Sequence, residues 1–471
     1  MTPEEFRRLG HRVVDWIADY RESIGDRPVM SAARPGDIRR SLPDNPPVEA
    51  ESWEAILADF ERLVSTGITH WQHPRFFGYF PGNHSLASVL GDHLSTGLGV
   101  VGVSWQASPA LTELEDLVTD WARRLFGLSD AWSGAIQDTA STSTLVALLT
   151  ARERATSFSA EGPGLAALPR PLVVYASEQS HSSVAKACKL AGFGADHLRL
   201  VPCDETYALR ADALEALMAE DRAKGRIPCA VVATTGTTTS TAFDPIGPAA
   251  RAAARHGAWL HVDAAMAGGG MILPELRHLW KGIEAADSVV INAHKWLGAA
   301  FDCALYFVRD PDSLLRVMST SPSYLRTADD DEVRSLRDWG LPLGRRFRAL
   351  KLWFLLRSEG TRALQERLRR DLSNARWLAQ EAGKTPEWQV AAPVLLQTVC
   401  LRHEPPGLDG DALDRHTQDW VDRVNRSGGA YLTPSRLGGR WVARVSIGAE
   451  STTSEDVAAV WGLMRREAEG A

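Results

Sequence analysis

Shortages of cysteine, of positive charge and of long apolar runs limit what this 471-residue chain can be. Its five cysteines are scattered, without a Cys-x-x-Cys pair: Cys188, Cys203, Cys229, Cys303 and Cys400. That spacing argues against a disulfide framework or a zinc site and predicts a reducing compartment. The net charge of -7 disfavours binding to nucleic acid or to a membrane surface.

The sequence also lacks the features of a signal peptide or a membrane span. Glu4 and Glu5 stand where a signal peptide would be basic and apolar. No apolar run approaches the roughly 20 residues that cross a bilayer. A hydrophobic content of 44% and a charged content of 24% are ordinary for a soluble globular protein. Because signal-peptide and membrane-span features are lacking, we expect a cytoplasmic location.

The order of local patterns predicts three segments. Thr2, Pro3 and Glu5 form a helix start, and a proline-rich connector follows, so 1–85 reads as a helical arm and linker. Residues 86–350 alternate helical patterns with β-branched runs, which indicates an α/β domain with a mainly parallel sheet. Residues 351–471 predict a smaller α+β domain. The predicted strands are 171–177, 198–202, 230–235, 259–263, 288–291, 304–308, 390–402 and 441–447.

Lys295 lies where the predicted strand 288–291 opens into a loop, within the motif NAHKW at 292–296. A lysine in partly dry surroundings keeps a useful fraction of neutral amine, which Schiff-base chemistry with a carbonyl cofactor requires. Pyridoxal phosphate (PLP) is therefore the first cofactor to look for.

Two upstream segments supply what PLP needs. Asp263 ends a predicted strand and could keep the ring nitrogen protonated, while Ala264 and Ala265 leave room for a flat ring. The sequence DTASTS at 138–143 precedes an apolar helix, whose first N–H groups could bind the phosphate. Taken alone, each segment could equally be a helix cap. Together with Lys295 they favour the cofactor interpretation.

Four segments, HVDAA at 261–265, NAHKW at 292–296, EQSHSS at 178–183 and LGRRFR at 343–348, resemble the group II PLP-dependent amino acid decarboxylases, in particular the aromatic L-amino acid decarboxylase branch. The resemblance covers nearly the whole chain and preserves motif order. It implies the fold of the PLP-dependent transferases (fold type I, aspartate-aminotransferase-like). It also implies a homodimer in which two subunits build each active site, with an N-terminal arm that wraps the partner.

The resemblance assigns roles to single residues. His181 would stack on the ring face opposite Ala265, position the substrate carboxylate and relay a proton. Thr238 would lie near the ring hydroxyl, and Gly344 would enter from the partner subunit. The full set of implied cofactor contacts is Lys295, Thr139, Ala140, Ser141, His181, Thr238, Asp263, Ala265, Asn292, His294 and Gly344.

Residues 321–325 match the family's catalytic loop and place Tyr324 on its tyrosine, also contributed by the neighbouring subunit. Once CO2 leaves, Cα needs a proton from a group that closes over the site and excludes water. Relatives with phenylalanine at this position tend to form aldehydes, so Tyr324 implies decarboxylation to an amine. Two alternatives stay open: decarboxylation-dependent oxidative deamination to an aldehyde, and decarboxylation of histidine or glutamate.

The substrate side chain is the least determined feature. The implied pocket residues are Trp71, Tyr79, Phe80, Pro81, Val103, His181 and Gly344. Aromatic clusters more often form core, which is the alternative for this segment. Gly344 stands where histidine decarboxylases tend to carry serine and so favours an aromatic substrate. Tryptophan, 5-hydroxytryptophan, dihydroxyphenylalanine, tyrosine and phenylalanine are the candidates.

Some residues depart from the family pattern, and others match the patterns of dinucleotide-binding or metal sites. Asp138 replaces a usual glycine and brings negative charge towards the phosphate, and Met266 replaces a tyrosine. Residues 97–102 match a dinucleotide fingerprint, but no strand leads into them, so we expect a close-packed loop. No metal site is expected, because His70 and His73 lack a third ligand and the acidic run 329–332 is typical of a solvated loop.

Overall fold

The computed structural model of the chain describes residues 1–320 and 333–470. It divides into two compact units. The composite unit comprises Met1–Pro81, Asn374–Ala391 and Val399–Ala471, and the central unit comprises Gly82–Ser373 and Ala392–Thr398. The three-segment division at 85 and 350 stays a prediction.

The central unit is built on a seven-stranded sheet in the order β1-β7-β6-β5-β4-β2-β3. β2 to β6 pair in parallel, whereas β7 is antiparallel to both β6 and β1. The predicted α/β class with a mainly parallel sheet is confirmed. The strands are β1 Ser133–Gln137, β2 Leu172–Ser177, β3 Leu198–Val201, β4 Ile227–Thr234, β5 Trp259–Asp263, β6 Ser288–Asn292 and β7 Ala304–Val308.

Helices of the central unit pack on this sheet because β4 to β7 are apolar and almost completely buried. α7 contacts β4 to β7, and α10 contacts β4 and β5. The helices are α5 Leu86–Leu98, α6 Pro109–Phe126, α7 Ala140–Ala155, α8 Ser182–Leu190, α9 Ala211–Ala223, α10 Ile246–His256, α11 Pro311–Met318 and α12 Arg348–Lys384, which runs on into the composite unit and is broken at Gly360.

The composite unit holds a four-stranded sheet in the order β10-β11-β9-β8. Its first helix begins as predicted, since Thr2 and Glu5 form a capping box with hydrogen bonds of 2.7 and 3.2 Å. The elements are α1 Pro3–Ser23, α2 Asp37–Arg40, α3 Trp53–Asp59, α4 Ser65–Gly67, β8 Trp388–Val390, β9 Thr398–His403, α13 Gly410–Arg426, β10 Thr433–Leu437, β11 Arg440–Ser446 and α14 Ser454–Glu469.

Three sequence predictions need correction. The stretch 390–402 is not one strand but parts of β8 and β9, and it is interrupted around Pro393, which lacks the N–H that a central strand donates. β1 and β10 were missed, since Ser133-Gly134-Ala135 and Pro434 have weak strand propensity. Residues 97–102 are not one close-packed loop, because the first two end α5 and are exposed, while Gly102 is buried.

Among the described helices, none combines the length and the apolar character needed to cross a bilayer.

Candidate active site

The predicted site residues follow the ends of five strands that point the same way. β1 is parallel to β6, because both are antiparallel to β7, and β2, β4 and β5 share that direction. Carboxyl ends of parallel strands lie at one edge of a sheet, which is where α/β sheets bind ligands. Residues 138–141, His181, Thr238, Asp263 and Lys295 therefore all follow strands that end at this edge.

Backbone pairing joins the Asp263 loop to the loop that carries Lys295. The N–H of Asn292 donates to the carbonyl of Ala265 at 2.9 Å, and the N–H of Ala264 donates to Val290 at 3.0 Å. Asp263 is buried, and its Oδ1 accepts the N–H of Ala265 at 3.1 Å. The carboxylate is thereby fixed in orientation.

Lys295 is half-buried in a tight turn, Ala293–Leu297. Its backbone leaves the helical region, with φ -99° and ψ -116°, so the turn aims the lysine differently from a regular helix. The preceding His294 is buried, and its Nδ1 accepts the N–H of Cys303 at 2.9 Å. Burial, aided by the positive charge of Lys295, lowers the pKa of His294 to about 4. His294 is therefore neutral near pH 7.

His181 caps α8 and is held by that helix. Its Nδ1 accepts the N–H of Ser183 at 3.2 Å and lies 2.8 Å from the hydroxyl of Ser183. A neutral ring that accepts through Nδ1 carries its proton on Nε2. Burial lowers the pKa of His181, Asp263 opposes that shift, and Lys295 adds to it. Both charges act on His181, so Asp263 and Lys295 each lie within electrostatic reach of this histidine.

The predicted phosphate cradle is a helix start. Thr139 is the N-cap of α7 and accepts the N–H of Thr142 at 3.5 Å, with Ala140 and Ser141 in the first turn. The carboxylate of Asp138 accepts the N–H of Thr139 at 2.6 Å. Arg348 donates to both carboxylate oxygens of Asp302, at 2.9 and 3.1 Å. Asp302 raises the pKa of Arg348 against its burial, and the more distant charge of Asp138 adds to that rise.

Thr238 belongs to a loop that packs beside the segment after Asp263. Gly236, at φ +80°, donates to the carbonyl of Ala242 at 2.9 Å, and a side chain at Gly236 would lie 2.6 Å from Cβ of Ala267. Glycine is therefore required at 236, where this loop approaches the segment after Asp263, and Thr238, two residues further on, is exposed.

These residues fit PLP. The buried carboxylate suits a ring N–H, Ala265 offers a small flat surface, and the start of α7 offers N–H groups to a phosphate. The amide oxygen of Asn292 is buried without a hydrogen-bond partner among the described residues, although most such atoms are paired. A hydrogen-bond donor on a bound cofactor would pair with this acceptor oxygen.

The remaining predicted residues fall in both units. In the central unit, Val103 is half-buried and Gly344 is exposed. A Cβ added at Gly344 would lie 3.3 Å from Cγ1 of Val101, which is a tight contact. In the composite unit, Phe80 and Pro81 are buried. There Trp71 and Tyr79 stack with ring centroids 5.2 Å apart yet stay 43% and 50% exposed, which disfavours the core alternative for this pair.

Sequence reasoning missed side chains that hold these residues in place. Tyr79 has φ +47°, and its N–H donates to the hydroxyl of Thr433 at 2.7 Å, while its own hydroxyl lies 3.4 Å from that of Tyr431. These partners are distant in sequence and carry no local motif.

Tyr324 and the acidic run 329–332 lie outside the described residues. Within the described part of the chain, no group of three or more metal-ligating side chains is found.

Comparisons with known proteins agree with this geometry. Residues 35–404 match the family described as "Pyridoxal-dependent decarboxylase conserved domain". The chain is 40% identical to tryptophan decarboxylase 2 of Oryza sativa subsp. japonica and 39% identical to phenylacetaldehyde synthase of Arabidopsis thaliana, each over 99% of this chain and 95% or 96% of the relative. The crystal structure of Oryza sativa TDC with PLP and tryptamine aligns with a TM-score of 0.97 and 35% identity, covering 100% of this chain and 99% of that chain. The predicted fold type I class is thereby confirmed.

Proposed function

This chain belongs to the pyridoxal-dependent decarboxylase family, and we propose that it converts an aromatic L-amino acid to the corresponding amine and CO2. The observation that carries the proposal is that Lys295, Asp263 and His181 lie at the ends of three strands that meet at one sheet edge, with Asp263 and Lys295 each within electrostatic reach of His181. The similarity to tryptophan decarboxylase 2 favours an aromatic substrate.

Bound PLP supplies a protonated aromatic ring that accepts the electrons of the bond broken at Cα. The chain's residues would hold and orient the reactants. Asp263 would keep the proton on the ring nitrogen, and Lys295 would bind the cofactor carbonyl carbon. His181, with its proton on Nε2, would donate to the substrate carboxylate and orient it. Tyr324 would then protonate Cα and exclude water.

The aromatic side chain of the substrate would meet the pocket residues named from the sequence. The stacked, partly exposed pair Trp71 and Tyr79 supports this, because aromatic rings stack favourably on flat ligands. The resemblance places Gly344 in this pocket, where a glycine adds no side chain that would restrict a bulky ring. We therefore favour tryptophan and 5-hydroxytryptophan over smaller substrates.

A substrate panel tests the proposal. The purified protein with PLP is incubated with tryptophan, 5-hydroxytryptophan, dihydroxyphenylalanine, tyrosine, phenylalanine, histidine and glutamate, and amine, CO2, aldehyde, ammonia and peroxide are measured. We expect equal yields of amine and CO2 from the aromatic amino acids. Aldehyde with ammonia would instead establish the oxidative alternative, which the similarity to phenylacetaldehyde synthase makes specific. Turnover of histidine or glutamate alone would refute the aromatic assignment.

Replacing Tyr324 with phenylalanine should shift the product from amine towards aldehyde. Without the phenol, Cα loses its proton donor, and general-acid groups typically contribute about 10²- to 10⁴-fold to rate. The measurement is the ratio of aldehyde to amine formed per CO2 released. An unchanged ratio would remove Tyr324 from the proposed mechanism.

We also propose a homodimer with shared active sites, on the basis of an apolar face of the central unit. Along α5, leucines recur every four residues and are 47% to 61% exposed, at Leu86, Leu90, Leu94 and Leu98. Val101, Leu341 and Leu343 are also exposed, and Gly102 and Arg345 join this region by a 2.9 Å backbone hydrogen bond. A face of this kind is typical of a protein interface. Gly344 lies beside it, as a residue contributed to the partner's site would.

The double substitution Leu90→Glu and Leu94→Glu should convert the dimer to monomers. Two carboxylates would have to be buried in an apolar interface, where unpaired charges are costly. Sedimentation velocity measures the species, and activity should fall with dimer content. Leu190→Glu is the matched control, since Leu190 is 63% exposed at the end of α8 and outside this face. A monomer that keeps full activity would contradict shared sites.

We place the protein in the cytoplasm. Its five cysteines are free thiols, and four of them are buried. Free thiols persist in reducing compartments, which supports this location.

A further inference from the structure

Trp296 directly follows Lys295 and is completely buried. It packs against the glycine run that follows Asp263 and Ala265. A Cβ at Gly269 would lie 3.5 Å from Cβ of Trp296, and a Cβ at Gly270 would lie 3.1 Å from its Cζ3. The glycines therefore leave space for the indole, which brings the loops of Asp263 and Lys295 into contact.

A second set of contacts holds Trp296 from α12. Nε1 of Trp296 donates to Oδ2 of Asp371 at 2.9 Å. One helical turn earlier, Nη2 of Arg367 donates to the carbonyls of Trp296 and Leu297 at 3.0 and 2.7 Å. Gly298 has φ +100°, and a Cβ there would lie 2.7 Å from Nη1 of Arg367. Asp371 thus binds the side chain of Trp296, and Arg367 binds the backbone of Trp296 and Leu297.

These contacts involve charged groups in the interior. Asp371 is fully buried, its Oδ1 has no hydrogen-bond partner among the described residues, and Arg370 is 3.8 Å away. Burial raises the pKa of Asp371 to about 7, against the hydrogen bond from Trp296 and the charges of Arg370 and Arg367. Burying a carboxylate carries a desolvation penalty, so an apolar residue of similar size would often stabilise the fold more. What the carboxylate of Asp371 provides instead is a hydrogen-bond acceptor that holds the indole of Trp296 in one orientation.

We propose that Asp371 and Arg367 are positioning residues that act through Trp296 to fix the direction of the Lys295 side chain. The inference rests on the proposed function, in which Lys295 binds the cofactor. Lys295 has a non-helical backbone, so its direction depends on how the turn is held. A displacement of about 1 Å at a reacting group can cost on the order of 100-fold in rate.

Trp296→Phe and Asp371→Leu test the inference, with Tyr175→Phe as the matched control. Tyr175 donates a buried hydrogen bond of the same 2.9 Å length to Asp221, on a strand away from Lys295. Each holoenzyme variant is measured for melting temperature, for PLP affinity from the apoenzyme, for the pH midpoint of the visible lysine–cofactor band, and for kcat and KM. We expect all three variants to lose stability. Trp296→Phe and Asp371→Leu alone should shift the band midpoint and lower kcat by about tenfold or more.

Asp371→Asn supplies the conservative rescue. Its amide oxygen can still accept from Trp296, so the band midpoint and kcat should return towards the wild-type values. If Trp296→Phe and Asp371→Leu fold and match Tyr175→Phe in band midpoint and kcat, the positioning role is refuted. If they do not fold, a wild-type band and kcat in Arg367→Lys, which would misplace the donor, would refute it. A wild-type protein that binds no PLP and releases no CO2 would instead overturn the proposed function.

Discussion

Replacing Lys295 with alanine should abolish amine formation, lowering kcat by more than about 10³-fold, as is found when a covalently acting residue is removed. The same change should remove the visible band of the Schiff base. Reduction with borohydride should no longer attach the cofactor to the chain. Absorbance, the mass of the reduced protein and CO2 release measure these results. The fold should persist, because Lys295 is only half-buried and its carbonyl keeps the Gly298 N–H at 3.2 Å.

Two further variants separate amine chemistry from charge. Lys295→Arg keeps a positive charge beside His181 but cannot form a Schiff base, so it should be as inactive as Lys295→Ala. Lys186→Ala removes an exposed lysine of α8 and should leave activity and spectrum unchanged. Retention of activity within tenfold of wild type in Lys295→Ala would refute the assignment of the cofactor to this lysine.

That Asp263 and Lys295 would lie at one sheet edge was predictable, because each stands at or just after the end of a strand. Asp263 ends β5, a strand predicted with the same bounds, and Lys295 follows β6, predicted one residue short. Parallel strands bring their carboxyl ends to one edge whatever the length of chain between them. A strand-end pattern thus carries spatial information that most sequence patterns lack. His181 was placed at this edge for the same reason, since it lies four residues beyond the end of β2.

The supporting side chains were not predictable, because their partners are far away in sequence. Asp371 hydrogen-bonds to Trp296 across 75 residues, and both belong to segments whose local patterns indicate only a helix and a turn. Arg348 pairs with Asp302 across 46 residues and also lies within electrostatic reach of Asp138. Such pairs depend on where α12 packs, which is a tertiary property. β1 was missed for a related reason, since pairing with β7 and burial outweigh its weak strand propensity.

Replacing Asp263 with asparagine should lower kcat by about 10²- to 10³-fold, a loss typical of removing one preorganised electrostatic partner from a reacting group. An amide cannot hold a proton on the ring nitrogen as a carboxylate does, so the bound cofactor would accept electrons poorly. Its oxygen can still accept the N–H of Ala265, which now meets Oδ1 at 3.1 Å, so the loop should keep its shape. CO2 release and the visible band are measured together, and the band should persist while turnover falls.

The charge argument can be separated from packing with Asp263→Ala and a cofactor methylated on its ring nitrogen. That ring is permanently positive, so it needs no carboxylate, and alanine provides space for the methyl group. Activity should therefore recover in Asp263→Ala with the methylated cofactor, but fall in the wild type, where the carboxylate occupies that space. Asp221→Asn is the control for a buried carboxylate elsewhere, because Asp221 accepts from Tyr175 and Arg226. It should lose stability without losing kcat. Failure of the methylated cofactor to restore any activity would mean that Asp263 acts by shaping the loop and not by holding the proton.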